Sequence, residues 1–216
     1  MNQYHKIQSL FKRDPDTHKI LWGQWSLPEF CYLKGNEWEF TEKIDGTNIR
    51  VMWDGTTIRF GGKTDKAEMP KTLFQKLHDI FRGPHKAEIF INTFGGELGT
   101  QVCLYGEGYG TKIQNGGKYI PDGVSFILFD IKIGRWWLER SNIEDIATKF
   151  NIDCVPIVTK GNLNDMVTLV KAGLESQWGA FEAEGLVARP TVNLFTRKGE
   201  RIITKLKHAD FKEKQT

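Results

Sequence analysis

Cysteine is scarce: Cys31, Cys103 and Cys154 are the 3 in 216 residues, and they lack the spacing of a metal site. That argues against a disulfide scaffold, and each thiol is expected to be a small core residue. Long apolar runs are missing too. No stretch approaches the length needed to cross a bilayer, and positions 1–10 are polar where a secretory signal would have an apolar core. The chain is therefore expected to work in the cytoplasm, that of a host if it is phage-encoded. There is no internal repeat, low-complexity tract or linker. Nor is one sign of charge in large excess, with 30 Lys and Arg against 27 Asp and Glu and a formal charge of +3. That balance says little about partners, although positions 205–214 are locally basic and suit either a polyanion or solvent. What is present is a 39% hydrophobic, 26% charged chain, long enough to bury a sizeable core. A single domain over 1–216 is expected, with 1–36 as a lead-in packed on it.

The informative stretch is Thr41-Glu42-Lys43-Ile44-Asp45-Gly46-Thr47-Asn48-Ile49-Arg50. A lysine, one apolar residue, an acid and a glycine put an amine and a carboxylate on one side of a strand end, with a tight turn behind them. An amine attacks only when unprotonated, and neighbouring cations or burial favour that form. Lys205 and Lys207 are candidate neighbours. Alone, the decapeptide equally describes a strand, a turn and a surface ion pair.

Along the chain, 38–43, 48–53 and 57–62 read as strands, with Asp54-Gly55 a hairpin turn. The spacing of Leu73, Phe74, Leu77, Ile80 and Phe81 predicts a helix over 66–82, with Pro70 in its first turn and Gly83-Pro84 as its stop. A short strand over 102–105 ends at Gly106-Glu107-Gly108, where an acid between glycines can project into a cleft. Strands are expected over 124–133, 154–159, 184–188 and 201–207, the last two joined through Lys198-Gly199. Helices are expected from a Ser141/Glu144 capping box to Phe150, and over 162–173.

Five signals stand in one order: Lys43-Ile44-Asp45-Gly46, Tyr105-Gly106-Glu107, Phe129-Asp130, Glu184-Gly185-Leu186-Val187 and Lys205-Leu206-Lys207. In that order they resemble the nucleotidyltransferase motifs of the covalent lysyl-nucleotide superfamily of ATP-dependent DNA ligases, RNA ligases and mRNA capping enzymes. Asn48, five positions after Lys43, resembles the bacteriophage-type RNA ligases that seal nicks in duplex RNA; the DNA ligases and capping enzymes usually carry arginine there. The run from Lys205 to Glu213 is similar to that family's ending.

The resemblance implies an α+β fold, mostly antiparallel sheets flanked by a few helices, with the ATP-grasp-like architecture of ligase adenylation domains. It implies ATP and Mg²⁺ or Mn²⁺ as cofactors, Lys43 as the nucleophile that becomes lysyl-AMP, and Lys205 and Lys207 as catalytic cations. Nucleotide binding would fall to Glu42, Lys43, Asn48, Lys63, Glu107, Phe129, Glu184, Lys205 and Lys207. Glu107 would bond the ribose and Phe129 stack on adenine, with Phe126 as the alternative. Metal would be held at Glu184 and Asp45.

Two substitutions depart from the branch: Lys63 stands where an arginine is usual, and Asp45 where a histidine is frequent. Only nine positions follow Lys207, where relatives usually add a second domain. A helper protein supplying that function is therefore expected beside the RNA, which would carry 5′-phosphate and 3′-hydroxyl ends. The alternatives are a DNA ligase, a capping-type guanylyltransferase and a non-catalytic nucleic-acid-binding module.

Overall fold

Residues 3–212 are described by a computed structural model. The chain begins with β1 (Gln8–Ser9), β2 (Phe11–Arg13), β3 (Ile20–Trp25) and α1 (Pro28–Tyr32). Then come β4 (Trp38–Glu42), β5 (Thr47–Trp53), β6 (Ile58–Gly61), α2 (Lys71–Phe81), α3 (Pro84–Phe94) and β7 (Val102–Gly110). The remainder is β8 (Val124–Ile133), β9 (Trp136–Trp137), α4 (Arg140–Phe150), β10 (Asp153–Cys154), β11 (Ile157–Gly161), α5 (Leu163–Ala172), β12 (Gly185–Pro190) and β13 (Thr204–Lys207). The expected mixture of mostly antiparallel sheets and few helices is what the backbone forms.

The elements fall into two compact units, one of residues 1–4 and 45–155, the other of 5–44 and 156–216. In the first unit the strands order as β10-β8-β7-β5-β6, with β9 beside β8. All of these pairings are antiparallel except β10 with β8. Helices α2 and α4 set Leu73, Leu77, Phe81, Ile143, Ile146 and Phe150 into a core with Val51, Trp53, Leu104 and Phe126. The glycines of β7 make this packing close: a Cβ at Gly108 would lie 2.5 Å from Leu73, and one at Gly106 would lie 2.3 Å from the Phe126 ring.

In the second unit the sheet order is β1-β13-β12-β4-β11, and β2 and β3 pair separately. Trp38, Phe40, Leu186, Ala188 and Leu206 alternate onto one face of this sheet and meet Leu10, Phe30, Leu163, Met166 and Val170. The residues between them face the other way: Glu39 and Thr41 on β4, Val187 and Arg189 on β12, Lys205 and Lys207 on β13.

Several boundaries differ from the sequence reading. α2 starts at Lys71 with Pro70 as its N-cap, because a residue before proline is held out of helical geometry. Gly83 (φ 144°) ends the turn after α2, and Pro84 then opens α3 instead of only stopping its predecessor. The Ser141/Glu144 box does not form: α4 begins at Arg140, whose Nε takes Glu144 Oε1 at 2.6 Å. Asn162 does cap α5, in a capping box with Asp165.

The strand expected over 102–105 continues to Gly110, so Glu107 lies within a strand and not at its end. The strand expected over 154–159 is two, β10 on β8 and β11 on β4, interrupted at Val155-Pro156 where the chain passes from one unit to the other. Proline has no N–H to continue a ladder. Arg201 pairs with Phe195 in an isolated bridge, and β13 starts at Thr204. Of the thiols, Cys103 is buried, and burial pushes it up to about 11, whereas Cys31 is exposed and no core residue.

Candidate active site

In the second unit, Lys43 lies just past the end of β4, and its N–H donates to Gly185 C=O at 2.9 Å. Gly185 pairs with Lys207. A Cβ at Gly185 would lie 2.1 Å from Leu206 O and 2.7 Å from Lys207 Cα, and its φ is 154°. Only glycine lets β12 and β13 approach so closely here. The closeness brings three side chains together. Glu184 Oε2 lies 2.6 Å from Lys43 Nζ, and Glu184 Oε1 lies 2.6 Å from Lys207 Nζ. Lys205, two residues before Lys207, is on the same face of β13.

The groups are partly solvent-accessible, with side-chain exposures of 21% for Lys43, 15% for Glu184 and 38% for Lys207. One carboxylate therefore serves two ammonium groups. Behind Lys207, His208 N–H donates to Glu184 C=O at 2.9 Å, and the His208 ring sits between Val170 O and Glu182 Oε1 at 2.8 Å each. These bonds fix the end of β13.

Glu42, next to the lysine in sequence, shares the opposite strand face with Trp38 and Phe40. Its carboxylate accepts from Ser176 Oγ at 2.7 Å and from Gln177 N–H at 2.8 Å. Burial pushes its carboxyl above the ordinary range, against the opposing effect of both hydrogen bonds.

In the first unit, Asp45 and Gly46 open β5. Asp45 Oδ2 accepts from Asn115 Nδ2 at 2.7 Å, and Asp45 N–H donates to the Tyr119 hydroxyl at 3.2 Å. Asn48 pairs in register with Glu107 across β5 and β7. Its Oδ1 is buried with no hydrogen-bond partner, an unusual state for a polar atom that an arriving donor would relieve.

Phe129 sits at the irregularity where β8 shifts register against β7, half-buried, with its ring edge-on to Tyr4 at 5.1 Å. Phe126 is a core residue against Phe81, at 5.4 Å between centroids. Asp130 accepts from the Tyr4 hydroxyl at 2.8 Å. Lys63 is exposed, on a loop fastened from below by Arg50. That fully buried guanidinium donates to Gly62 O at 2.8 Å and reaches Asp65 Oδ1 at 2.7 Å, holding the Asp65 carboxyl below its usual range.

Among the described residues, no group of three or more His, Cys, Asp and Glu could hold a metal ion. A divalent ion bridging phosphates needs only one or two protein carboxylates. Glu184 offers one in the second unit, so its donor chemistry fits such an ion without a dedicated protein cage; Asp45, in the first unit, offers a carboxylate of its own.

Sequence reasoning missed Arg50 and Tyr4. Arg50 sits in a strand as a charged residue would on any exposed face, and its burial is invisible to alternation. Tyr4 lies in a segment without periodicity, and nothing in the sequence singles it out.

Residues 36–207 match the model of a family described as RNA ligase. Among solved structures, a point mutant of the Naegleria gruberi RNA ligase with ATP and Mn is 20% identical at a TM-score of 0.64, over 85% of this chain and 54% of that one. The same ligase with PPi is 21% identical at 0.63, over 83% and 52%. An apo mutant is 17% identical at 0.65, over 97% and 58%. At these identities the likeness is one of fold, and the chain spans about half the length of those ligases.

Proposed function

This chain belongs to the RNA ligase family, and on that premise we propose that it is an ATP-dependent RNA ligase acting through a covalent lysyl-AMP. Its branch, on the strength of Asn48, is the one that seals nicks in duplex RNA. One observation carries the reading: Glu184 holds the ammonium groups of Lys43 and Lys207 at 2.6 Å each. A surface that only bound nucleic acid would gain from the cations, but a carboxylate between them would repel the polyanion.

Lys43 Nζ attacks the α-phosphorus of ATP. A nitrogen–phosphorus bond forms as the bond from that phosphorus to pyrophosphate breaks, and pyrophosphate leaves with the electron pair. Glu184 Oε2 is within reach of the proton that Lys43 sheds before attack; the second, released as the phosphoramidate forms, goes to solvent. Lys205 and Lys207 stabilise the charge that develops on the phosphates. AMP then passes to a 5′-phosphate, and a 3′-hydroxyl displaces it to close the phosphodiester. Asn48 Oδ1 is an acceptor without a partner, and Glu107 beside it offers a second for the nucleotide. Phe129 offers an aromatic face to adenine. Glu184 would hold Mg²⁺ or Mn²⁺, which would supply charge neutralisation on the phosphates, and Asp45 is the second carboxylate proposed as a metal ligand.

Incubating the protein with ATP or GTP labelled in the α-phosphate tests this reading. Covalent label is expected from ATP, and none with Lys43→Ala. Label from GTP alone would instead make it a capping-type enzyme, and no label from either nucleotide would make it a binding module.

A further inference from the structure

The N-terminal segment supplies the edge strand of the second unit's sheet, and one polar group on that strand has no partner. β1 runs parallel to β13, with Ser9 in register with Lys205. Three hydrogen bonds pin the strand at this pair. The buried Thr204 hydroxyl donates to Gln8 C=O at 3.1 Å, Leu10 N–H donates to Lys205 C=O at 3.0 Å, and the Ser26 hydroxyl donates to Ser9 C=O. The Ser9 hydroxyl itself is buried and makes no hydrogen bond. Its direction follows from the alternation of the strands. Leu10 and Leu206, each one residue further on, both enter the apolar core. Ser9 and Lys205 therefore share the other face, which also carries Lys207.

A buried hydroxyl without a partner is uncommon in a native protein and calls for an explanation. An ammonium group only donates. A hydroxyl that also donates, set beside Lys205, converges with it on a common acceptor. Beside the ammonium groups on this face, the acceptor that suits both donors is an anionic oxygen. We infer that Ser9 is a phosphate-binding residue: its Oγ–H donates to a phosphate oxygen that Lys205 also holds, which makes the N-terminal strand part of the substrate face. The inference rests on the ligase reading for which phosphate this is, that of ATP or the 5′-phosphate of the polynucleotide. The three backbone anchors mean that the hydroxyl is positioned before the substrate arrives.

The test uses the full chain with Ser9→Ala and Ser9→Thr. Three quantities are measured: KM for α-labelled ATP in self-labelling, KM for a 5′-phosphorylated strand in transfer from pre-labelled protein, and the affinity for pyrophosphate by calorimetry. Ser9→Ala is expected to raise one of the KM values about tenfold with kcat unchanged, the size of one hydrogen bond to a charged group. Ser9→Thr keeps the hydroxyl and is expected to keep the wild-type value. The arm that moves identifies the phosphate. Removing an unpaired hydroxyl deprives the fold of no bond, so the Tm of Ser9→Ala is expected to be no lower than that of the wild type.

The inference is overturned if Ser9→Ala leaves both KM values and the pyrophosphate affinity at wild-type levels, or if it lowers Tm and kcat together while KM stays put. Wild-type protein that takes no label from ATP, yet loses pyrophosphate affinity with Ser9→Ala, would sink the ligase reading and leave the phosphate site standing.

Discussion

Glu184 is the residue on which the site turns, since its two oxygens are committed to two different lysines. Glu184→Gln keeps the shape and removes the charge, leaving Lys43 and Lys207 as like charges without the group that holds them. Label uptake is expected to fall by about a hundredfold, the order seen when one electrostatic partner is removed from a reacting centre. Wild-type rates in that variant would show that the carboxylate is a bystander.

Glu42 makes a different prediction. Its folded carboxyl titrates above the unfolded one because of burial. The protonated form is therefore the better tolerated, and Glu42 contributes stability at low pH that is lost as pH rises through the folded value. Glu42→Gln is neutral throughout and can still accept a hydrogen bond. The Tm of the variant relative to wild type is expected to be highest at pH 7 and to decline towards pH 5. A difference that does not change with pH would contradict this.

At the scale of the element, the approach of β12 to β13 depends on Gly185. Gly185→Ala would set a methyl against the Leu206 carbonyl in a backbone conformation that alanine avoids. A loss of about 1–3 kcal/mol of stability is expected from the overpacking, and because Lys207 and Glu184 are placed by that approach, label uptake should drop with it. Denaturant unfolding and labelling of one preparation measure both. Leu73→Ala, in the core of the other unit, is expected to cost about 2–5 kcal/mol. Leu73 carries no group that the proposed transfer uses, so labelling by the protein that remains folded should persist.

The strands at 38–42, 47–53, 124–133 and 185–190 were legible because alternation and turn residues mark them locally. The lysine–glutamate–lysine cluster was legible only through motif order, since Lys43 lies 141 positions before Glu184 and 164 before Lys207. What escaped notice depends on third parties. Gly106 and Gly108 look like loop glycines until Phe126 and Leu73 are seen in the space their side chains would fill. Glu144 looks like half of a capping box until Arg140 takes it. Such outcomes are decided by tertiary competition for the same atoms, which a local pattern does not record.

For the molecule as a whole, a formal charge of +3 is too small to attract RNA by itself, so attraction must come from local clusters such as the one around Lys205 and Lys207. The basic run at 205–214 extends past the described residues, and within it Lys212 is already engaged with Glu182 at 2.6 Å. Polynucleotide affinity is expected to fall linearly with the logarithm of salt concentration, with a slope set by the few phosphates contacted. A salt-independent affinity would remove phosphate contacts from the account.

The chain crosses between its two units at positions 4/5, 44/45 and 155/156. The middle crossing cuts the signature Lys43-Ile44-Asp45-Gly46 in half, so the amine is anchored by one hydrophobic interior and the acid and glycine by another. Four consecutive residues thus answer to two separate packings, and unfolding of either unit would take part of the same short motif with it.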